Sequence, residues 1–407
     1  MLARQGRRVA VTGIGLMTCV GETPNTFFQN LMDGVSGIRR SARLPEVHKV
    51  GGVEFDSSRH FSKIQLLSLD RVSQMAMVVS DRALDAARLK PEDTSRCGVF
   101  LGTGMGGAES LENAYWNFFK AEQKKRLLTV PLAMNHAPAS QIAMRHGIHG
   151  ECQTFSAACS SSSIAIGDAY RRIKDGYLDT VLAGGAECML TPGVINEWQT
   201  LQVLATSQGE PSTGCRPFSK GRTGFHIAEG ACIVVLEEMD GAIRRGARIL
   251  AEIIGYGLSN DASHITKPDE AGQSRAIEAA LRDAQVEPQD IDYINAHGTA
   301  TMVGDVVETR SIKRVFGDYA HAIPVSSTKS SHGHAIGATG AIEFAASVLA
   351  MQHRAVPPTA FWQERDPDCD LDYVPGKGRA VDRLKTVMSN SFAFGGNNAV
   401  LVARAVE

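Results

Sequence analysis

Two distant stretches of the chain repeat one pattern. ALDAARLKPED (Ala83 to Asp93) and ALRDAQVEPQD (Ala280 to Asp290) share A-L-x-x-A-x-[LV]-x-P-[EQ]-D. Each closes a helical pattern ahead of a short apolar run and a glycine, CGVFLGTG in one case and IDYINAHGT in the other. This predicts two halves of similar design. The seam falls near GAIRRGARILAEIIGYG, where a helix ends around Arg245–Gly246 and ILAEIIGYG starts a fresh strand that echoes RRVAVTGIG at the N-terminus. The halves are therefore residues 1–246 and 247–407. A chain of 407 residues is too long for one ordinary core, which fits the division.

Within each half, apolar strands alternate with helices: TFSAA, a helix from Ser160, then DTVLAGG; and YINA, a helix from Asp305, then IPVSS. That order predicts α/β architecture with parallel βαβ units, right-handed crossovers and helices on both sheet faces. No low-complexity linker separates the halves, so they are expected to pack as one body. Glycines gather at strand-to-helix turns such as GTGMGG, AGGAE, GHAIGATG and FGGNN, where backbones turn tightly or approach one another. GTGMGG also matches a dinucleotide-binding fingerprint, but no ribose-binding partner accompanies it, and a tight turn beside a pocket or subunit contact is the better reading.

A hydrophobic fraction of 43%, a charged fraction of 21% and a net charge of −2 describe a globular protein with no basic field for nucleic acid. The eight cysteines include no C-x-x-C pair and no metal-type cluster, so free thiols in a reducing compartment are expected, with neither a disulfide framework nor a metal site. RQGRRVAVTGIGLMTCVG has the arginines and apolar run of a signal peptide but no small-x-small cleavage site, and it alternates as a buried strand does. With no apolar run of the ~20 residues a membrane helix needs, the expectation is a cytoplasmic protein.

One cysteine stands out. In SAACSSSSIAIGDAYRRIKDG, the residues from Ser160 read as a helix with an apolar side (Ile164, Ala165, Ala169, Ile173), basic last turns (Arg171, Arg172, Lys174) and a stop at Gly176. Cys159 therefore sits at a helix N-terminus, where free N–H groups and the helix dipole favour a thiolate and can lower its pKa to ~3.5–7.5. The alternative is an inert buried cysteine. NAHGTATMVGDVVE places His297 in a turn after a strand, and SSTKSSHGHAIGATGAIEF does the same for His334, with Lys329 five residues earlier. Either histidine alone has a structural reading. Two at corresponding strand ends, with a cysteine at a third, point to the open end of an α/β sheet where ligands bind.

Taken in order, VTGIGL, ACSSS, AGGAE, RPF, EGA, NAHGT-x-T-x-x-GD, SSTKS-x-x-GH-x-x-GA-x-GA-x-E and NSFAFGGNN make the chain resemble, end to end, an elongating β-ketoacyl-[acyl-carrier-protein] synthase of the thiolase-fold condensing enzymes, closest to the ketoacyl synthase II type. The resemblance implies a duplicated five-layer αβαβα sandwich with two mixed, mainly parallel sheets, usually as a homodimer. It implies decarboxylative Claisen condensation without metal or redox cofactor, the 4'-phosphopantetheine arriving on the acyl carrier protein. By the same resemblance Cys159 takes the acyl group, His297 and His334 stabilise the enolate, and the N–H groups of Cys159 and Phe394 form an oxyanion hole. Lys329 pairs with Glu308 and lies near Glu343; Thr299 and Thr301 bind the phosphopantetheine arm; Phe394 is the gate between the two substrate steps.

The chain also departs from the family pattern. Ala393 replaces the usual glycine before the gating phenylalanine, which predicts a stiffer gate, and Asn397 replaces a threonine. Ser219 and Thr223 stand where acidic residues are common. Trp198 matches an acyl-pocket position usually held by phenylalanine and Met105 the guard of that pocket's entrance, so truncating either should admit longer primers. A thiolase is disfavoured because the C-terminal segment SFAFGGNNA has no second cysteine, an initiating synthase by the second histidine, and a non-catalytic chain-length factor by the presence of Cys159, His297, His334 and Lys329 together. A ketosynthase subunit of a type II polyketide or polyene pathway, in a homodimer or a heterodimer, stays open as the alternative.

Overall fold

The computed structural model describes residues 6–41, 44, 49–90, 93–120, 127–206 and 213–406. In the first half, strands β1 (Val9–Thr18), β2 (Cys97–Gly102), β3 (Cys152–Phe155), β4 (Thr180–Glu187) and β5 (Gly230–Glu238) lie in the order β3-β2-β4-β5-β1. In the second, β6 (Ala251–Asn260), β7 (Tyr293–Asn295), β8 (Val325–Ser326), β9 (Thr386–Phe392) and β10 (Asn397–Arg404) lie in the order β8-β7-β9-β10-β6. Counted from each half's first strand, both orders read 3-2-4-5-1, and in both the fifth strand alone runs against the other four. The repeat read from the sequence is thus a duplication of topology.

The first strand of each half lies at an edge of its five, with unpaired backbone groups that need a partner. Each supplies the other: β1 and β6 pair antiparallel, Val9 opposite Ile253, Ala10 opposite Glu252 and Val11 opposite Ala251. The two mixed sheets of the expected fold are thereby joined into one hydrogen-bonded sheet of ten strands. Helix α1 (Arg71–Ala87) covers the outer face of the first half; α4 (Glu270–Ala284) and α5 (Gly304–Phe316) cover that of the second. Between the sheets lie α2 (Ser161–Lys174) and α6 (Thr339–His353), which touch each other; α6 is buried from Thr339 to Met351. A further helix, α3 (Pro192–Thr200), lies beside the candidate site described below. Among the described residues, no helix is long and apolar enough to cross a membrane.

The alanines of the repeat have a steric reason. A Cβ on Gly15 of β1 would lie 2.0 Å from the Val79 carbonyl of α1, and one on Gly257 of β6 would lie 2.0 Å from the Ala276 carbonyl of α4. Two residues earlier, Gly13 and Gly255 meet the Ala83 and Ala280 carbonyls at 2.3 and 2.5 Å. Strand and helix backbones approach so closely that the strand side must be glycine and the helix side alanine, namely Ala83 and Ala87 in one half, Ala280 and Ala284 in the other. Both helices then end on a left-handed residue, Arg88 (φ 50°) and Gln285 (φ 54°). Pro91 and Glu92 of the first copy lie outside the described residues; Asp93 accepts from the Ser95 N–H at the turn leading into β2.

The chain leaves β3 toward Cys159, β7 toward His297, and β8 toward Lys329 and His334. All three exits are carboxyl ends of parallel strands, and they bring a cysteine of one half to two histidines of the other. Because the clash at the strand glycines is with backbone, Gly15→Ala and Gly257→Ala should each destabilise the protein by about 2 kcal/mol or more. Urea denaturation checks this; two variants as stable as the parent would remove the close-approach account of the repeat.

Candidate active site

Cys159 occupies a short 3-10 turn, Ala158–Ser160, that feeds directly into α2. Ala158 before it has φ 46°, a left-handed conformation unusual for alanine and typical of a residue held by its surroundings. The four serines that follow are a set of stitches. Ser160 Oγ donates to the Asn397 carbonyl at 2.9 Å, Ser162 Oγ accepts from the Ala341 N–H at 2.9 Å, and Ser163 and Ser391 hydroxyls lie 2.8 Å apart. Ser161 closes its own turn, accepting from the Ala157 N–H at 2.8 Å. The serine run thus fastens the cysteine-bearing helix to the second half.

The thiol does not behave as a helix N-terminus alone predicts. Cys159 is 6% exposed, and burial pushes its thiol up to about 11. The Lys329 charge and the N–H groups of Phe394 and Cys159 itself pull the other way without overcoming the loss of water. The expected lowering is corrected on this point: desolvation outweighs the dipole.

His334 Nε2 lies 3.0 Å from Cys159 Sγ, and its Nδ1 is 2.9 Å from the Thr339 hydroxyl at the start of α6. The His297 ring stands edge to face with it, centroids 5.6 Å apart. Among the described residues, Cys159, His297 and His334 bring one sulfur and two ring nitrogens within 4.8 Å of one another. Both imidazoles are held well below their usual range, first by burial and then by the Lys329 charge. Both influences favour the neutral ring.

Lys329 is fully buried with its partners. Its Nζ lies 2.6 Å from Glu343 Oε1, 2.5 Å from the His297 carbonyl and 3.4 Å from His297 Nδ1. Lysine has only donors, so Nδ1 accepts and the His297 proton is left on Nε2. The expected Lys329–Glu308 pair is corrected: the direct partner is Glu343, on the α6 turn facing Nζ. Glu308 instead accepts the His297 and Gly298 N–H groups at 2.8 and 2.7 Å and an Asn390 amide hydrogen at 3.3 Å. It shapes the histidine turn from below. Burial pushes Glu343 up to about 7 although Lys329 pulls it down.

The cavity over these groups is lined by Thr299, Thr301, Trp198, Phe225, Phe394, Asp261 and the run from His264 to Pro268. Trp198 of α3 stacks on Phe394 at 6.0 Å and meets Phe225 edge-on at 5.9 Å, while Phe225 meets the His334 ring edge-on at 4.9 Å. Met105 is not brought here. It is 43% exposed and absent from the cavity lining, and its N–H, with that of Gly104, donates to the buried Glu187 carboxylate. Ala393 adopts φ −105° and ψ 158°, extended backbone open to any residue, so the expected stiffening has no dihedral basis; the left-handed positions are Gly395 and Gly396. Thr339 and Phe225 were not singled out from the sequence. The threonine five residues after His334, at a helix start, was the available signal.

The chain resembles known proteins along nearly its whole length. The Beta-ketoacyl synthase N-terminal domain family matches residues 6–242 and the Beta-ketoacyl synthase C-terminal domain family residues 250–362. The chain is 38% identical to 3-oxoacyl-[acyl-carrier-protein] synthase 2 of Staphylococcus aureus, over 99% of each chain. It is 41% identical to Nodulation protein E of Rhizobium meliloti, over 98% of this chain and all of that one. A solved structure, the ishigamide ketosynthase/chain length factor, superposes with a TM-score of 0.92 at 32% identity, covering 99% of this chain and all of that one. With the cysteine and both histidines converging in a duplicated α/β scaffold, the chain belongs to the beta-ketoacyl synthase family.

Proposed function

We propose that the protein condenses a Cys159-bound acyl primer with malonyl-acyl carrier protein, releasing carbon dioxide and giving 3-oxoacyl-acyl carrier protein in fatty-acid chain elongation. The observation that carries this reading is the convergence of one sulfur and two imidazole nitrogens within 4.8 Å, all three residues buried. In the first step Cys159 attacks the carrier-bound thioester, a new carbon–sulfur bond forms, and the thiol proton ends on the departing pantetheine sulfur. Lys329 and the His334 ring 3.0 Å away lower the cost of the developing thiolate.

In the second step the bond to the malonyl carboxylate breaks. Carbon dioxide leaves, and the electron pair forms an enolate whose negative charge sits on the thioester oxygen. His297 presents an Nε2–H there because Lys329 occupies its Nδ1; His334 does the same when the Thr339 hydroxyl donates to its Nδ1. Neutral donors suit this task, since they stabilise the oxygen without protonating it. The enolate carbon then attacks the Cys159 thioester, whose oxyanion falls to the N–H groups of Cys159 and Phe394. Collapse expels the Cys159 thiolate and leaves the 3-oxoacyl chain on the carrier.

The acyl carrier protein is the partner this chemistry requires, Thr299 and Thr301 are assigned to its pantetheine arm, and neither metal nor redox cofactor takes part. A homodimer in the cytoplasm is the proposed state. A second reading keeps the reaction and changes the pathway, to a polyketide or polyene ketosynthase with a heterodimeric partner. The likeness to a ketosynthase/chain length factor and the tryptophan in the acyl pocket favour it.

Carbon dioxide release and condensation with carrier-bound substrates test the proposal. Cys159→Ser should lose condensation, and His297→Ala or His334→Ala should lose malonyl decarboxylation by roughly 10²–10³-fold while Cys159 still accepts an acyl group. A serine variant condensing at the parent rate, or histidine variants that decarboxylate normally, would sink it. Trp198→Ala should shift the primer profile toward longer chains; an unchanged profile with graded primers would release Trp198 from the acyl pocket.

A further inference from the structure

The segment RPFSKGRTGF has no part in the reaction as derived, yet it buries a guanidinium against the cavity wall. Arg222 Nε donates to the Thr301 carbonyl at 2.9 Å and Nη2 to the Met302 carbonyl at 2.8 Å. Nη1 donates to the Ser219 carbonyl at 3.1 Å and to the Asp366 carboxylate at 2.5 Å. Asp305, in the first turn of α5, lies 3.4 Å from Nε and accepts the Phe218 N–H at 2.6 Å. Ser219 accepts the Gln363 and Glu364 N–H groups at 3.2 Å each, and Asp305 and Asp366 supply the counter-charge to Arg222.

The gripped carbonyls belong to the turn that carries two cavity-lining hydroxyls. Thr301 Oγ1 accepts from the Gly304 N–H at 3.2 Å and stands 3.1 Å from Thr299 Oγ1. A planar fork can meet two successive carbonyls at once, which an ammonium cannot do with the same fixed geometry. We propose that Arg222 is a positioning residue for the carrier arm: by holding the Thr301 and Met302 carbonyls it fixes the Thr299 and Thr301 hydroxyls where they meet the arm's amide. This rests on the condensation reading above.

The test compares decarboxylation of malonyl-carrier protein with that of a malonyl ester of ethanethiol, which has no amide. Arg222→Met should raise KM for the carrier substrate about tenfold with kcat changed less than about twofold. The rate on the simple thioester should stay unchanged, and Arg222→Lys should recover part of the loss. Asp366→Asn, which loosens Nη1 from the rim, should move the ratio of the two substrates in the same direction by less; it decides the matter if Arg222→Met does not fold. Equal losses on both substrates, or an unchanged ratio, would overturn the assignment while leaving the condensation reading intact. A parent protein inert toward both substrates would overturn the two together.

Discussion

A single buried cation organises the site. Lys329 Nζ is fully buried, and a charge there is tolerable only because Glu343 meets it at 2.6 Å and the His297 carbonyl at 2.5 Å. Its remaining contact, with His297 Nδ1, sets which nitrogen of that ring carries the proton. Burial first and the Lys329 field second hold both imidazoles below their usual range, and that field is the largest of the influences that favour the Cys159 thiolate against burial. One ammonium therefore governs the nucleophile and both donors at once.

Duplication explains how these groups come together. Each half of the chain has the same strand order, and the first strands of the two halves satisfy each other's open edges. The central helices begin beside the reacting groups: α2 just after Cys159, α6 just after His334. Hydrogen bonds from the serine run lock these helix starts across the interface, so the distance from sulfur to imidazole is set by packing between halves rather than by either half alone. A catalytic geometry built on helix starts and strand ends is more rigid than one built on loops.

Much of this could be read from residue order. The A-L-x-x-A repeat announced the duplication, and the glycines of VTGIG and IIGYG were visible beside it, although their role as the other face of the same contact needed coordinates. Cys159, His297 and His334 stood out because each follows a strand, whereas Lys329 and the roles of all four came from the family resemblance. What stayed hidden depends on side-chain direction. Glu308 and Glu343 both lie on helices near Lys329, and only the turn of α6 decides that Glu343 reaches Nζ while Glu308 caps backbone N–H groups. The cysteine's basicity was misjudged because position on a helix is legible in a sequence and depth below the surface is not.

Enolate stabilisation at this site depends on neutral imidazoles with their protons directed into the cavity. Nitrogen-15 NMR of the histidine rings reads this directly. Between pH 5.5 and 8 His297 and His334 should both give neutral-ring signals, with His297 protonated at Nε2. Imidazolium signals from either ring appearing near the ordinary histidine pKa, or a His297 proton on Nδ1, would contradict it.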